Sequence, residues 1–217
     1  MNTLILITSI VTTPKTPFNY SNTRSTFTEN QRFEQTKETI KSVRKFYPTS
    51  KIFLIEYGNT KEEYTTFFKN NCDYFLDIYI KYPLTYQEMA SSNSKSLGEG
   101  AQTTTALNYI LKKDIHFEVL IKISGRYFLT GTTEVPNSSG VAKEINKNDG
   151  VTTVLYSIPR RYINDFLFFL NSQKERMKHC VGYEVIFGDF IRSIPCKFVS
   201  KLNISGLVSV DGDFYSG

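Results

Sequence analysis

The sequence has no tryptophan, only two histidines and only three cysteines among its 217 residues. The cysteines, Cys72, Cys180 and Cys196, are widely spaced and form no CxxC or Cys/His pattern, which argues against a zinc site and a disulfide-built secreted domain. The apolar run 4–11 is far shorter than a membrane span and lacks the basic start of a signal peptide. We therefore expect a protein of a reducing, cytoplasmic compartment with no membrane span.

The sequence also lacks the signature motifs of several large enzyme classes. It contains no GxGxxG dinucleotide fingerprint, no GxxxxGK[ST] phosphate loop and no GxSxG nucleophile elbow. The formal net charge is +5 and the isoelectric point is about 8.9. This balance suits a protein that handles an anion, but the charge is too small and too evenly spread for nucleic-acid binding. We expect no nucleic-acid partner.

The residues that are present are typical of a globular domain. Hydrophobic residues make up 40% of the chain and charged residues 22%. The 14 tyrosines and 17 phenylalanines are numerous enough to contribute heavily to a core. Because no repeat, low-complexity tract or change of composition divides the chain, we predict a single domain over residues 1–217.

The first half of the chain alternates between strand and helix patterns. Short apolar runs rich in β-branched residues predict buried strands, and a Ser or Thr followed three positions later by Gln or Glu predicts a helix start. This order predicts an α/β fold with a largely parallel sheet. The predicted strands are 4–10, 51–56, 74–81 and 118–130, the last broken at Ser124-Gly125, and the predicted capping boxes are Thr28/Gln31, Thr60/Glu63 and Ser96/Glu99.

The rest of the chain is less regular. The polar stretch 12–27 is too long for a simple turn, and it is either a functional loop or a mobile surface loop. In the second half, the polar stretch 134–149 predicts a loop or short excursion. The remaining predicted elements are a strand over 151–157, helices over 161–171 and 174–194, and one or two short strands over 198–210.

Ligands of open α/β sheets bind beyond the carboxyl ends of the strands. That rule places the segments 12–24, 56–59, 91–99 and 124–127 in one neighbourhood. Lys95, at a predicted helix start, suits an anion such as a phosphate, although a solvated side chain beside an ordinary cap explains it equally well. Glu56, at the end of a predicted strand, is placed to accept hydrogen bonds from a ribose.

The most informative segment is VLIKISGRYFL, residues 119–129. A buried strand carries Lys122 and then breaks at Ser124-Gly125-Arg126. Because burying an unpaired charge is costly, Lys122 and Arg126 need an anion. Gly125 permits a turn or a close backbone approach, and an arginine can clamp a phosphate with two hydrogen bonds. The alternative is a salt bridge to a nearby acidic residue.

The segment NSKSLGEGAQTTTALNYILKK followed by FEVLIKISGRYFL resembles the nucleotide-sugar half of GT-A glycosyltransferases. In particular, KISGRY is similar to a subset of such sequences from bacteria and large viruses. The resemblance implies a Rossmann-type, mixed but mostly parallel sheet flanked by helices. It also implies a nucleotide-sugar-binding half over about 1–130 and an acceptor half over about 131–217. The implied reaction moves a sugar from a nucleoside-diphosphate sugar to a hydroxyl of a glycan, lipid or protein-linked acceptor.

The resemblance also implies roles for single residues. Thr8 and the loop after it correspond to the base and ribose pocket, Glu56 to the acid that contacts the nucleoside, and Lys95 to the basic residue before the helix. Ser124-Gly125-Arg126 falls where the family carries its metal-binding DxD turn. Neither outer position is a carboxylate here, although a divalent cation such as Mn²⁺ or Mg²⁺ normally needs carboxylate oxygens.

Two arrangements could neutralise the diphosphate. In one, Arg126 acts with Lys122 or Lys95 and no metal is needed. In the other, the segment Asp211-Gly212-Asp213 holds a metal ion, although two acids around a glycine more often form a turn. No metal ligand can be assigned from the sequence.

The acceptor half should supply a general base, which must be a carboxylate or a histidine. Glu184 lies between apolar residues in a predicted helix and is the favoured candidate, with a surface position on an amphipathic helix as the alternative. Arg160 follows a predicted strand and either contacts a phosphate or an anionic acceptor or begins the surface of a helix. The alternative to an enzyme is a non-catalytic nucleotide- or glycan-binding protein with a degenerate GT-A fold. The sequence leaves the oligomeric state open.

Overall fold

The computed structural model describes residues 2–146, 150–208 and 213–217. The described strands are β1 Thr3–Ser9, β2 Lys51–Glu56, β3 Tyr74–Asp77, β4 Val119–Ser124, β5 Tyr127–Leu129, β6 Gly140–Ala142, β7 Glu144–Asn146, β8 Gly150–Val151, β9 Leu155–Pro159, β10 Cys196–Phe198, β11 Ile204–Val208 and β12 Asp213–Ser216. The described helices are α1 Glu29–Phe46, α2 Glu62–Asn71, α3 Ile78–Lys81, α4 Pro83–Ser91, α5 Lys95–Lys112, α6 Ile163–Ser172, α7 Lys174–Lys178 and α8 Tyr183–Arg192.

Seven of the described strands form one sheet in the order β10-β6-β9-β4-β1-β2-β3. The strands β3, β2, β1 and β4 run parallel, whereas β9 runs antiparallel to both β4 and β6. This arrangement confirms the predicted α/β class with a mixed, mostly parallel sheet. The strands β5, β11 and β12 form a smaller antiparallel sheet, and β7 pairs with β8.

The central strands are buried on both faces because helices or the small sheet cover each side. In β1, Leu4 and Leu6 contribute to the core beneath α5, α6 and α8, whereas Ile5 and Ile7 pack on the opposite side, beneath α1 and the small sheet. This alternation follows from the two-residue period of a strand. It also explains the continuous apolar run in the sequence, since both faces need apolar side chains.

The first predicted helix start is confirmed, and the other two are wrong. Thr28 and Gln31 form the reciprocal capping box at the start of α1. The helix α2 begins after Lys61, with no side-chain cap from Thr60. The helix α5 begins after Ser94, whose hydroxyl accepts the backbone N–H of Leu97 at 3.1 Å. Ser96 therefore lies inside the first turn of α5 and does not cap it.

Several predicted boundaries differ from those observed. The third strand ends at Asp77, because the Asp77 carboxylate accepts the backbone N–H of Ile80 and opens α3. The helix α4 was not predicted. The predicted strand over 151–157 is divided between β8 and β9, and short strands occupy part of the predicted loop over 134–149.

The long predicted helix over 174–194 is interrupted between α7 and α8. Cys180 adopts a left-handed backbone there, with φ of 60°, and Gly182 precedes α8. None of the helices in the part of the chain that the structure describes is both long and apolar enough to cross a bilayer.

Candidate functional site

A cavity of about 150 Å³, called here the first cavity, lies at the carboxyl-terminal edge of the parallel strands β1 and β4. The end of β1, the loop over 12–28, the first turns of α5 and the turn after β4 all contribute to its walls. These segments meet because parallel strands bring their carboxyl ends to one edge of the sheet. The lining residues are Thr8, Ser9, Ile10, Thr13, Pro14, Phe18, Tyr20, Arg24, Arg32, Thr36, Tyr57, Lys95, Gly98, Glu99, Gln102, Ser124, Gly125 and Arg126.

The loop over 12–28, called here the strap, is held over the first cavity by Arg24. The Arg24 Nε donates to the carbonyl oxygen of Thr16 at 2.6 Å, within the strap itself. Its Nη2 donates to three carbonyl oxygens near the end of α4, those of Met89, Ala90 and Ser92. One guanidinium thus joins the strap to the chain that leads into α5.

A second arginine, Arg32 in α1, is buried at the other end of the strap. Its Nε donates to the carbonyl oxygen of Ile10, and its Nη1 donates to the Ser25 hydroxyl at 3.0 Å. Burial lowers the pKa of Arg32, and the positive charge of Arg126 lowers it further. Together with Arg24, Lys95 and Arg126, it makes the first cavity rich in positive charge.

The turn after β4 brings three predicted residues to this cavity. The backbone N–H of Gly125 donates to the carbonyl oxygen of Thr8 at 2.8 Å, which fixes the turn against the end of β1. A Cβ at Gly125 would lie 3.1 Å from the Thr36 hydroxyl oxygen, so the absence of a side chain suits this close approach. Ser124 and Arg126 line the cavity on either side of Gly125.

Lys95 lies between two carboxylates. Its Nζ is 3.3 Å from Glu184 Oε1, in the first turn of α8, and 3.8 Å from Glu99 Oε1, one turn further along α5. About a third of the Lys95 side chain is exposed. The charge of Glu99 raises the pKa of Lys95, burial opposes this, and Glu184 adds to the rise. Lys95 is therefore a fixed positive charge at the rim of the first cavity.

Glu99 was not among the predicted site residues, although it lines the same cavity. Burial acts to raise its pKa, but the charges of Lys95, Lys122 and Arg126 outweigh burial and hold the pKa below its usual value. The sequence signal was present, because Glu99 follows Lys95 by four positions and so lies on the same helix face. The spacing of Ser96 and Glu99 instead predicts a capping box, which the structure does not contain.

A second cavity, of about 290 Å³, adjoins the first. Tyr20, Lys95 and Glu99 line both cavities. The remaining lining comes from the strap, from the start of α5 and from the segment between α7 and α8. These residues are Asn19, Ser94, Ser96, Cys180, Gly182, Tyr183 and Glu184. The predicted base Glu184 and the predicted phosphate-binding residues Lys95 and Arg126 are thus placed around two neighbouring cavities.

The structure places Lys122 behind this site and not on it. The side chain is only 3% exposed, and its Nζ donates to the carbonyl oxygen of Thr153 at 2.6 Å. The Thr153 hydroxyl in turn lies 3.4 Å from Glu99 Oε2. Burial lowers the pKa of Lys122 to about 8, against the opposing charge of Glu99. The predicted contact of Lys122 with substrate is corrected, since its charge acts from beneath the cavity, through Glu99.

Glu56 also differs from its predicted role. The residue is fully buried, and its Oε1 accepts the backbone N–H groups of Val11 and Gly58, each at 2.9 Å. Burial raises the pKa of Glu56, and those hydrogen bonds oppose the rise. The carboxylate therefore joins the loops that follow β1 and β2, and a ribose hydroxyl cannot reach it in this arrangement.

Arg160 lies at the wrong edge of the sheet for its predicted role. The strand β9 is antiparallel to β4, so its last residue, Pro159, pairs with Val119 at the beginning of β4. Arg160 follows directly, and its guanidinium lies 5.2 Å from the centre of the Phe117 ring. The structure favours the alternative, since Arg160 begins a 3-10 turn over Arg160–Tyr162 that leads into α6. An antiparallel strand ends at the edge of the sheet opposite to that of its parallel neighbours, so Arg160 cannot join the site after β1 and β4.

The residues at the turn after β4 do not fit a divalent cation. Ser124-Gly125-Arg126 offers one hydroxyl and a positive charge, whereas Mn²⁺ and Mg²⁺ prefer carboxylate oxygens. The two carboxylates that line the cavities, Glu99 and Glu184, already face Lys95. Among the described residues, no cluster of three metal-ligating side chains occurs. The predicted alternative at Asp211-Gly212-Asp213 falls outside the described residues, apart from the backbone of Asp213.

No protein-family profile matches the chain. The chain is 28% identical over 169 residues to 4-hydroxy-tetrahydrodipicolinate synthase of Wigglesworthia glossinidia brevipalpis. That alignment covers 75% of this chain and 51% of the synthase. The chain therefore spans about half the length of that relative, and this level of identity does not define its family.

Several solved structures match the fold over most of this chain. The glycosyltransferase GlyE of Streptococcus pneumoniae TIGR4 matches with a TM-score of 0.55 and 8% identity, over 92% of this chain and 45% of that chain. The galactosyltransferase LgtC, in complex with donor and acceptor sugar analogues, matches with a TM-score of 0.55 and 11% identity, over 89% of this chain and 72% of that chain.

A third match is the nucleoside-diphosphate-sugar pyrophosphorylase of Vibrio cholerae RC9, with a TM-score of 0.51 and 11% identity over 93% of both chains. The chain has a GT-A-like fold, as the resemblance in the KISGRY segment implied. At such low identity these matches define the fold alone, and the chemistry has to be argued from the site.

Proposed function

We propose that this chain is a glycosyltransferase, which moves a sugar from a nucleoside-diphosphate sugar to a hydroxyl of an acceptor. The observation that carries the proposal is that two neighbouring cavities share Lys95 but differ in the charge of their other lining residues. The first cavity is lined by four cationic side chains and one carboxylate, a balance that suits a diphosphate. The second contains Glu184, a carboxylate that can accept a proton from an acceptor hydroxyl.

The proposed binding of the donor uses Thr8 and the strap residues around the nucleoside, and Arg126 with Lys95 at the diphosphate. Arg126 lies in the turn that is fixed to β1, and its planar guanidinium can donate two parallel hydrogen bonds to a phosphate. Fixed cations at this position stabilise the negative charge that develops on the leaving diphosphate. This assignment needs no metal ion, in keeping with the poor fit of the turn to a divalent cation.

In the proposed reaction, the acceptor oxygen forms a bond to the anomeric carbon of the donor sugar, and the bond from that carbon to the diphosphate oxygen breaks. Glu184 takes the hydroxyl proton, and the nucleoside diphosphate leaves with the electron pair of the broken bond. Glu99 is a weaker base, since three cations lower its pKa. Glu184, which lines only the second cavity, is the better placed of the two carboxylates.

The proposal is tested by measuring thermal stability against a panel of nucleoside diphosphates and their sugars, each with EDTA and with manganese. A ligand at about 100 times its dissociation constant should stabilise the native state by roughly 2.7 kcal/mol. We expect stabilisation by one base type, and we expect it to persist in EDTA. Loss of the effect in EDTA would contradict the cation clamp, and no effect from any member would contradict the donor site.

The variant Arg126→Ala should bind the diphosphate at least about tenfold more weakly, because it loses a charge-assisted contact. Arg160→Ala removes the same side chain at the opposite edge of the sheet and should leave binding unchanged. A donor-consumption assay then separates transfer from the alternative, a nucleotide- or glycan-binding protein without catalysis. That alternative predicts nucleotide binding with neither hydrolysis nor transfer.

A further inference from the structure

The two cavities differ in the sign of the charge on their walls. Four cationic side chains and Glu99 line the first cavity, whereas Lys95, Glu99 and Glu184 are the charged residues among those that line the second. With these groups ionised, the second cavity carries one positive and two negative charges. An anionic ligand is repelled there, whereas a neutral ligand is not. The second cavity is therefore unsuited to a phosphate or to an acidic sugar.

The other walls of the second cavity suit a ligand with many hydroxyl groups. Ser96 lines this cavity and is only 4% exposed, and its buried hydroxyl has no hydrogen-bond partner among the described residues. A buried hydroxyl without a partner costs free energy that a ligand hydroxyl can recover. Asn19 adds an exposed amide, and Tyr20 adds an aromatic ring that is 60% exposed.

These features match the two kinds of surface on a sugar ring. Hydroxyl groups of a sugar both donate and accept hydrogen bonds, so they can pair with a serine hydroxyl, an amide and carboxylates. The apolar C–H face of the ring can pack on a tyrosine ring that retains a polar edge. A cavity of about 290 Å³ beside the proposed diphosphate position leaves room for such a ring.

We propose that the second cavity binds the acceptor, and that the acceptor group bound there is a neutral sugar and not an anionic one. The inference rests on the proposed transferase function, which it deepens by naming the chemical class of the acceptor. Ser96, Asn19 and Tyr20 hold the ring, and Glu99 and Glu184 exclude sugars that carry a carboxylate or phosphate. The same carboxylate that accepts the proton thus also selects the substrate by charge.

The structure supplies a matched pair of blocking variants. A Cβ at Gly182 would meet Glu184 Oε2 at 3.5 Å and Val185 Cγ2 at 4.0 Å, both ordinary contacts, so Gly182→Leu can extend into the second cavity without backbone strain. A Cβ at Gly98 would meet nothing within 4 Å, and Gly98 lines only the first cavity. Gly98→Leu therefore fills the nucleotide side in the same way.

The experiment measures binding of methyl galactoside and methyl glucoside by ligand-observed NMR, beside the matching methyl uronides, which differ by one carboxylate. Binding of nucleoside diphosphate is measured on the same samples. We expect the neutral glycosides to bind wild type at least about tenfold more tightly than the uronides. Gly182→Leu should abolish glycoside binding but keep nucleotide binding, and Gly98→Leu should do the reverse.

Ser96→Ala gives a graded check, since alanine is well tolerated in a helix and only the hydroxyl is lost. It should weaken glycoside binding by roughly threefold to tenfold. Preferred binding of the uronides, glycoside binding that survives Gly182→Leu, or no glycoside binding at all would each overturn the inference. Failure of nucleotide binding with intact glycoside binding would instead contradict the proposed function and leave a neutral-sugar site.

Discussion

At the scale of single residues, the site depends on how Lys95 divides its charge. The Lys95 Nζ lies 3.3 Å from the Glu184 carboxylate and 3.8 Å from the Glu99 carboxylate. The proposed diphosphate would add a third anion. Each anion that approaches Lys95 weakens the hold of the others, because one ammonium has three donors and one charge. The pair between Lys95 and Glu184 therefore competes with donor binding, and donor binding loosens Glu184 for its role as a base.

This competition predicts an unusual result for Glu184→Gln. The variant removes a negative charge beside Lys95, so it should bind a nucleoside diphosphate about threefold to tenfold more tightly than wild type while losing transfer activity. Titration calorimetry at low salt measures the affinity. Glu175→Gln, which breaks an exposed pair with Lys178 outside both cavities, is the matched control. Unchanged or weaker binding in Glu184→Gln would show that the two anions do not share Lys95.

The sequence could place Lys95 and Arg126 near one another but could not place Glu56 or Arg160. The first pair follows from segments with strong patterns, a helix start and a strand that breaks at a charged turn. Glu56 was misassigned because position at a strand end does not reveal whether a carboxylate faces solvent or two backbone N–H groups. Arg160 was misassigned because no local pattern shows that β9 runs antiparallel to β4.

At the scale of elements, the strap over residues 12–28 depends on a small number of hydrogen bonds for its position. It contains little regular structure. The hydrogen bonds that join it to the segment before α5 include those from the Arg24 Nη2 to three carbonyl oxygens and one from the backbone N–H of Asn19 to the carbonyl oxygen of Asn93. Arg24 supplies several of these bonds with one planar group, which a lysine could not reproduce. Because the strap forms walls of both cavities through Phe18 and Tyr20, its order should matter for donor and acceptor alike.

Arg24→Met should release the strap without unfolding the domain. The lost hydrogen bonds favour local opening, so cleavage by a protease that cuts after aromatic residues should be at least about fivefold faster at Phe18 or Tyr20. Lys15→Met is the matched control, since it removes one charge from an exposed side chain of the same loop. Equal cleavage rates in both variants would show that Arg24 does not hold the strap.

The start of a helix was predictable where the capping side chain in the sequence is also the one that binds the first backbone N–H groups of the helix. Thr28 with Gln31 preceded a long amphipathic pattern, and the capping box is present. At the start of α5 two serines compete, and Ser94 caps the helix because its hydroxyl, not that of Ser96, reaches the backbone of Leu97. The short helix α3 escaped prediction because the apolar residues of 74–81 suit a strand as well as a helix turn.

At the scale of the whole molecule, a buried lysine lies in the centre of the main sheet. Lys122 belongs to β4, which pairs with β1 on one side and with β9 on the other. Both faces of the main sheet are covered, so its central strands need apolar side chains on both sides and form continuous apolar runs in the sequence. Those runs made the fold class predictable. The lysine departs from that pattern, and its position under Glu99 links the stability of the sheet to the charge of the site.

Lys122→Met should therefore change how stability depends on pH. The pKa of Lys122 is about 8 in the folded state and about 10.4 in an unfolded chain, so the unfolded state binds more protons between these values. The unfolding free energy of wild type should then rise relative to that of Lys122→Met from pH 8 to pH 10, by roughly 1–3 kcal/mol. Urea denaturation across this range measures the difference, with the exposed Lys201→Met as the control for losing a lysine. A constant difference between wild type and Lys122→Met would mean that Lys122 keeps its proton, and hence a full charge beneath Glu99, throughout this range.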